Sequence, residues 1–228
     1  AAIDGEMVKF LAAKSLIDNT IIVLEAPYFI DATELGELLP LTKTEYRTGS
    51  EARSETQELH GADQANPKDN QAFNYCFAMD YVKGADYTID KPEAYAFWKN
   101  YVPTLMPPWP GRLLELSYSN PKTLQRKPLG FQPEGEPTGQ WLNLWNYRRI
   151  IDPGNFKSGT YAGGMTIVNW PQNDFCPGNI IDVPESEAEK YIRQSKQLSL
   201  SLLYWLQTEA PREDGKQGWP GLRLRNDI

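Results

Sequence analysis

Residues 185–208 limit what this chain can fold into more than any other stretch. Tyr191, Leu198, Leu202 and Trp205 recur at helical spacing, with Ile192, Leu203 and Leu206 beside them. The pattern predicts a helix of about six turns at 3.6 residues per turn. Pro184 suits its start, Glu185, Glu187 and Glu189 lie at the end where the helix dipole favours acids, and Pro211 stops it. So wide an apolar stripe is largely buried along its second half, and the rest of the chain has to supply the surface it packs on.

That rest reads as short strands and loops. Residues 7–11 and 20–24 are strand candidates joined by a turn over 15–19, with a helix over 6–16 as the competing reading because Phe10, Leu11 and Ala13 also suit helices. Tyr28-Phe29-Ile30, a short apolar run after Pro27, suits a strand buried on both faces of a parallel sheet. Asp31, Ala32 and Thr33 then form a polar break before the helical spacing of Leu35, Leu38 and Leu39. Ligands bind beyond the carboxyl ends of such strands, and Thr33 and Gly36 let a backbone approach a dinucleotide; an ordinary strand-to-helix turn is the alternative.

Residues 44–71 are polar and broken by Gly49, Gly61 and Pro67, which predicts an extended connection with at most one helical turn. Residues 71–81 alternate, with Phe73, Tyr75, Phe77 and Met79 on one side, and predict a strand. A helix is expected from Pro92 to about residue 101. Residues 103–139, rich in proline and glycine and including Pro107-Pro108, read as ordered loop with a short strand over 113–118. Residues 140–151 read as a strand carrying Arg148 and Arg149, and 165–168 as another, ending in Asn169-Trp170-Pro171-Gln172-Asn173-Asp174-Phe175.

Composition narrows the function classes. A chain of 228 residues can bury a sizeable core as one large domain or two small ones. A net charge of -7 and the lack of a basic run longer than Tyr147-Arg148-Arg149 argue against nucleic acid as a partner. No apolar run approaches the ~20 residues of a membrane span. One histidine, His60, and two distant cysteines, Cys76 and Cys176, do not make a zinc site. Two buried thiols in a reducing compartment are preferred to a disulfide, which points to the cytoplasm.

Three groups of residues carry candidate chemistry. His60 can act as a general base, histidine being the side chain that titrates near neutrality, or be a solvated surface residue. Arg148 and Arg149, as strand neighbours, point to opposite faces, so one of them can hold a substrate carboxylate by a two-pronged contact; a structural ion pair is the alternative. Asn169, Trp170, Asn173 and Asp174 sit at a strand end, where their polar groups can meet a ligand with Trp170 as a flat wall, or form an Asx-type turn over a packed tryptophan.

Several of these stretches resemble one family. Residues 30–38, Ile-Asp-Ala-Thr-Glu-Leu-Gly-Glu-Leu, are similar to the IDATELGDLL segment of FAD-dependent oxidoreductases, which also carry an acid at the position of Glu34, where most flavoproteins have glycine. Residues 46–56 resemble that family's Y-x-T-G-x-E-(A/S)-x-x-E-T segment, and His60 and residues 63–67 continue the match. Residues 169–175 resemble its N-W-P-x-N-D-(Y/F) signature, and residues 219–225 its (Y/W)-P-G-L-R-L-R segment.

The resemblance implies an α/β to α+β fold: part of a Rossmann-like FAD sheet, an aromatic-rich mixed-sheet substrate domain and one long helix. It implies FAD as cofactor, a small organic substrate and hydride exchange between the two. Asp31, Ala32, Thr33, Glu34 and Gly36 would then contact the cofactor, and His60, Arg148, Asn169, Trp170 and Asn173 would serve catalysis. Residues 1–45 would belong to the FAD-binding domain, 46–184 to the substrate domain, and 185–228 to a helix and tail returning to the FAD domain. The family's phosphate-binding turn, G-x-G-x-x-G, has no counterpart in these residues, so the match is to a middle portion of the family. The expectation is weak FAD binding by this chain alone, with a second chain supplying that turn. The alternative is a cofactor-free binding or structural module of the same fold, its aromatics exposed to recognise carbohydrate or a protein partner.

Overall fold

The computed structural model describes residues 1–105, 108–139 and 141–227; the expectations that fall on Pro107 and Gln140 lie outside the described residues. The fold is α+β, built of small antiparallel sheets and one long helix. The chain divides into two compact units, residues 1–71 and 72–228.

The first unit opens with an antiparallel meander, β1 (Ala2–Asp4), β2 (Met7–Lys14) and β3 (Ile21–Leu24). Strands win over the helix alternative because two turns close locally. Gly5 takes the left-handed conformation (φ +60°) between β1 and β2. Between β2 and β3, the Asp18 carboxylate accepts from the Thr20 N–H at 3.1 Å and the Thr20 hydroxyl at 2.8 Å. Two short helices follow, α1 (Leu38–Thr42) and α2 (Arg53–Thr56); the latter is the single helical turn expected in the polar connection.

The parallel-sheet strand expected at residues 28–30 does not form. Tyr28 and Ile30 are 87% and 89% exposed, and every strand ladder among the described residues is antiparallel. An apolar run becomes a strand only where a ladder partner takes up its N–H and C=O groups, and none of the described strands pairs with this run.

The second unit contains, in order, β4 (Phe73–Asn74), β5 (Phe77–Tyr81), α3 (Tyr95–Asn100), β6 (Ser117–Ser119), β7 (Arg126–Pro128), α4 (Leu144–Tyr147), β8 (Arg149–Ile151), β9 (Met165–Val168), β10 (Asp174–Phe175), α5 (Glu185–Thr208) and β11 (Leu222–Arg225). Its principal sheet has four strands in the order β11-β5-β9-β8. The single strand expected over 71–81 is instead two. β4 pairs with β10 and β5 with β9, so the chain changes sheets at Tyr75-Cys76. The strand expected over 140–151 begins only at Arg149. The Asn143 side chain accepts from the Trp145 N–H at 3.1 Å, and this cap turns residues 144–147 into helix.

Helix α5 spans the residues its periodicity predicts. Leu198, Leu202, Leu203 and Leu206 are buried, and they share one apolar core with Met79, Val168 and Leu222 of the principal sheet. The core is strongly aromatic. Trp98, Trp145, Trp170, Trp205 and Trp219 are all buried, and Phe131 meets the rings of Trp145, Trp170 and Trp219 edge-on. Other rings stay exposed, among them Phe97, Trp141, Tyr147 and Phe156. No helix among the described residues is long and apolar enough to cross a membrane.

Candidate functional site

Strand alternation gives the principal sheet two unlike faces. Phe77, Met79 and Tyr81 of β5 join the core under α5, so Ala78 and Asp80 point the other way. The pairing carries that second face across the sheet. One row is Arg225, Ala78 and Ile167; the next is Arg223, Asp80, Met165 and Ile151. A methyl group flanked by two long side chains leaves a depression. A cavity of about 530 Å³ lies there, with Ile150 and Tyr161 on its far side. Its size is that of a small-molecule site.

The second row is charged at one end. The Asp80 carboxylate, 5% exposed, accepts from Arg223 through Nε at 3.0 Å and Nη2 at 2.5 Å, and from Arg225 Nη1 at 3.2 Å. Arg225 gives its remaining fork, Nε at 2.7 Å and Nη2 at 2.5 Å, to Asp227. Hydrogen bonding to these carboxylates raises both guanidinium pKa values further, while the Arg225 fork pulls Asp227 down to about 2. The face therefore offers an apolar floor beside a permanently charged guanidinium.

The candidates expected from the sequence are placed elsewhere. His60 is exposed in a turn of the first unit. Arg148 is exposed at the end of α4 with its guanidinium 5.2 Å from the Tyr147 ring centre, and Arg149 pairs with Asp152 at 2.8 Å. Asn169 is half-buried. Trp170 and Asn173 come together, but inside the core at 1% and 0% exposure. Asn173 Oδ1 accepts from the Trp170 N–H at 2.8 Å and from Asn74 Nδ2 at 3.2 Å, and its Nδ2 donates to Ser199 at 3.4 Å. That amide ties a strand end, a second strand and α5 into one packed corner. Beside it, burial raises the Asp174 carboxyl, and burial together with Asp174 pushes the Cys176 thiol up to about 11. Cys76 is exposed and Cys176 half-buried, so the thiols expected to be buried are not, and no disulfide joins them.

The cofactor candidates form a self-contained loop. Asp31 accepts from the Thr33 N–H at 3.0 Å, the Thr33 hydroxyl at 2.6 Å and the Leu38 N–H at 3.0 Å, and Thr33 Oγ1 accepts from the Glu37 N–H at 2.9 Å. These bonds hold Asp31 below the usual carboxylate range. Gly36 takes φ +69°, and a Cβ there would press on Leu39. Ala32 and Glu34 are exposed. Residues 15–42 contain Asp18, Glu25, Asp31, Glu34 and Glu37 and no lysine or arginine. Such a donor set does not fit the diphosphate of a dinucleotide, which needs unpaired N–H groups and positive charge.

Sequence reasoning missed Ala78, Asp80, Arg223 and Arg225. The signal was present. Leu222-Arg223-Leu224-Arg225 alternates with period two, which puts both arginines on one strand face, and Asp80 falls on the polar side of the alternating strand β5.

No curated protein and no solved structure matches the chain. A family model described as FAD dependent oxidoreductase matches residues 6–227, nearly the whole chain, and carries with it FAD as the family's cofactor and a flavin oxidoreductase type of function. The chain belongs to the FAD-dependent oxidoreductase family.

Proposed function

We propose that the second unit supplies the substrate-holding surface of a flavin oxidoreductase in which a hydride passes between an organic substrate and FAD. The observation that carries this is the cavity over Ala78 on the open sheet face, apolar at its floor and bounded at one end by Arg225, which is hydrogen-bonded to Asp80. The substrate surface in this proposal lies in residues 72–228 and includes Arg225, so it takes in the tail beyond the 46–184 expected for a substrate domain. A second chain bearing the phosphate-binding turn goes with this proposal, because the loop at 31–38 does not fit a diphosphate. The proposed setting is the cytoplasm, where thiols such as Cys76 and Cys176 stay reduced.

Two measurements test the proposal. The protein isolated with its partner chains should show flavin absorption bands at roughly 375 and 450 nm, the redox chemistry being the cofactor's. In that complex Ala78→Leu, which fills the depression, should slow bleaching of the flavin by substrate at least about tenfold without lowering flavin content. A colourless preparation that takes up no added FAD, or unchanged bleaching in the variant, would overturn it.

A further inference from the structure

We propose that the open sheet face selects an organic acid with an apolar body, its carboxylate held by Arg225 in the place that Asp227 takes. The inference rests on that face being the substrate surface and names the substrate class.

Register sets the geometry. Arg225 is level with Ala78, and Ala78 with Ile167. Adjacent strands lie about 4.8 Å apart, so the arginine backbone is about 10 Å from that of Ile167, with the depression between them. A ligand seated over Ala78 has Met165 and Ile167 under its body and Arg225 at one end.

Charge sets the sign. Asp80 is buried and gripped by Arg223 through two bonds, so its single negative charge is already balanced. Arg225 adds a second positive charge to that buried carboxylate. Its balancing group, Asp227, lies two residues further along the chain with its side chain 63% exposed. The Asp227 contact is a two-pronged carboxylate–guanidinium pair at 2.7 and 2.5 Å. That pairing is the strongest geometry arginine offers, and any carboxylate able to reach the fork can adopt it. A solvated local partner holds it weakly, whereas a ligand that also buries an apolar body on the sheet gains from both contacts. The tail carboxylate is thus an internal competitor for the anion subsite.

The test uses the 228-residue chain, with 4-phenylbutanoate and the uncharged 4-phenylbutanol as probes, followed by the methyl resonances of Met165 and Ile167. The acid should bind about tenfold more tightly than the alcohol. Asp227→Asn should strengthen acid binding severalfold and leave alcohol binding unchanged. Arg225→Gln should erase the preference for acid while the alcohol still shifts the same methyl groups. Equal binding of acid and alcohol, or no gain in Asp227→Asn, would overturn the substrate class and leave the sheet face standing as the site. Failure of both probes to shift either methyl group would overturn the site itself.

Discussion

At the scale of single residues, the family-like signature over 169–175 is occupied in holding the molecule together. Asn173 spends its side chain on buried Trp170 and Ser199 and on half-buried Asn74. Asn173→Ala strands the buried Trp170 N–H and takes one hydrogen bond each from Asn74 and Ser199, which keep their bonds to the Trp170 and Tyr75 carbonyls; stability should fall by about 2 kcal/mol in urea unfolding. Its neighbour Asp174 supplies a pH dependence with the opposite sense to most carboxylates. Burial raises its pKa above the ordinary 3.8, against the pull of a hydrogen bond from Asn74. Just above that ordinary value the folded chain keeps a proton that the unfolded chain has released. This contribution to stability therefore falls as pH rises through the window and stays lost at neutrality. Asp174→Asn keeps an acceptor for Asn74 and removes the cost. Its stability advantage over the parent should grow between about pH 3 and about pH 7, and a flat difference would show that the carboxyl is not strained by burial.

Among elements, α5 was legible to the residue because its signal is long and its partners lie on one face. The strands were less so. The run at 28–30 has the composition of a strand, but pairing decides strand formation, and pairing is not a local property. The segment 71–81 shows one alternation yet serves two sheets, and 144–147 turned helical on a cap from Asn143. The site was hidden for the same reason, since Ala78, Ile167 and Arg225 become neighbours only through cross-strand register. The return of the tail onto α5 depends on one backbone conformation. Gly218 has φ +71°, and a Cβ there would sit 2.3 Å from the Gln207 carbonyl oxygen. The same turn lets the Trp219 N–H reach the Leu206 carbonyl at 2.9 Å and leads into β11. Gly218→Ala combines a left-handed φ with a backbone clash, so it should cost about 3 kcal/mol or more and detach β11. Because β11 carries Arg223 and Arg225, the variant should also lose acid binding on the sheet face, whereas Gly215→Ala, with open space around its Cβ, should keep it.

At the scale of the whole chain, the two units differ in what holds them. Every buried apolar residue described in the core belongs to residues 72–228 except Ala52. In the first unit, Ile21, Ile22, Val23 and Leu24 of β3 are each about half exposed or more. Four consecutive apolar residues in one strand suit burial on both faces, and here neither face is covered. The meander is therefore held by its ladder and turns, with little apolar burial to oppose the entropy of ordering it. Local opening should be cheap in the first unit and approach global unfolding in the second. Hydrogen exchange on the intact chain measures this directly. Amides of β2 and β3 should exchange within the shortest labelling times, while those of Leu198, Leu202 and Leu206 in α5 persist to the rate of global unfolding. If a second chain completes the FAD-binding half, its addition should slow exchange at residues 21–24 and leave α5 unchanged. Slow exchange in β3 without any partner would mean that the meander is stable by itself and needs no cover.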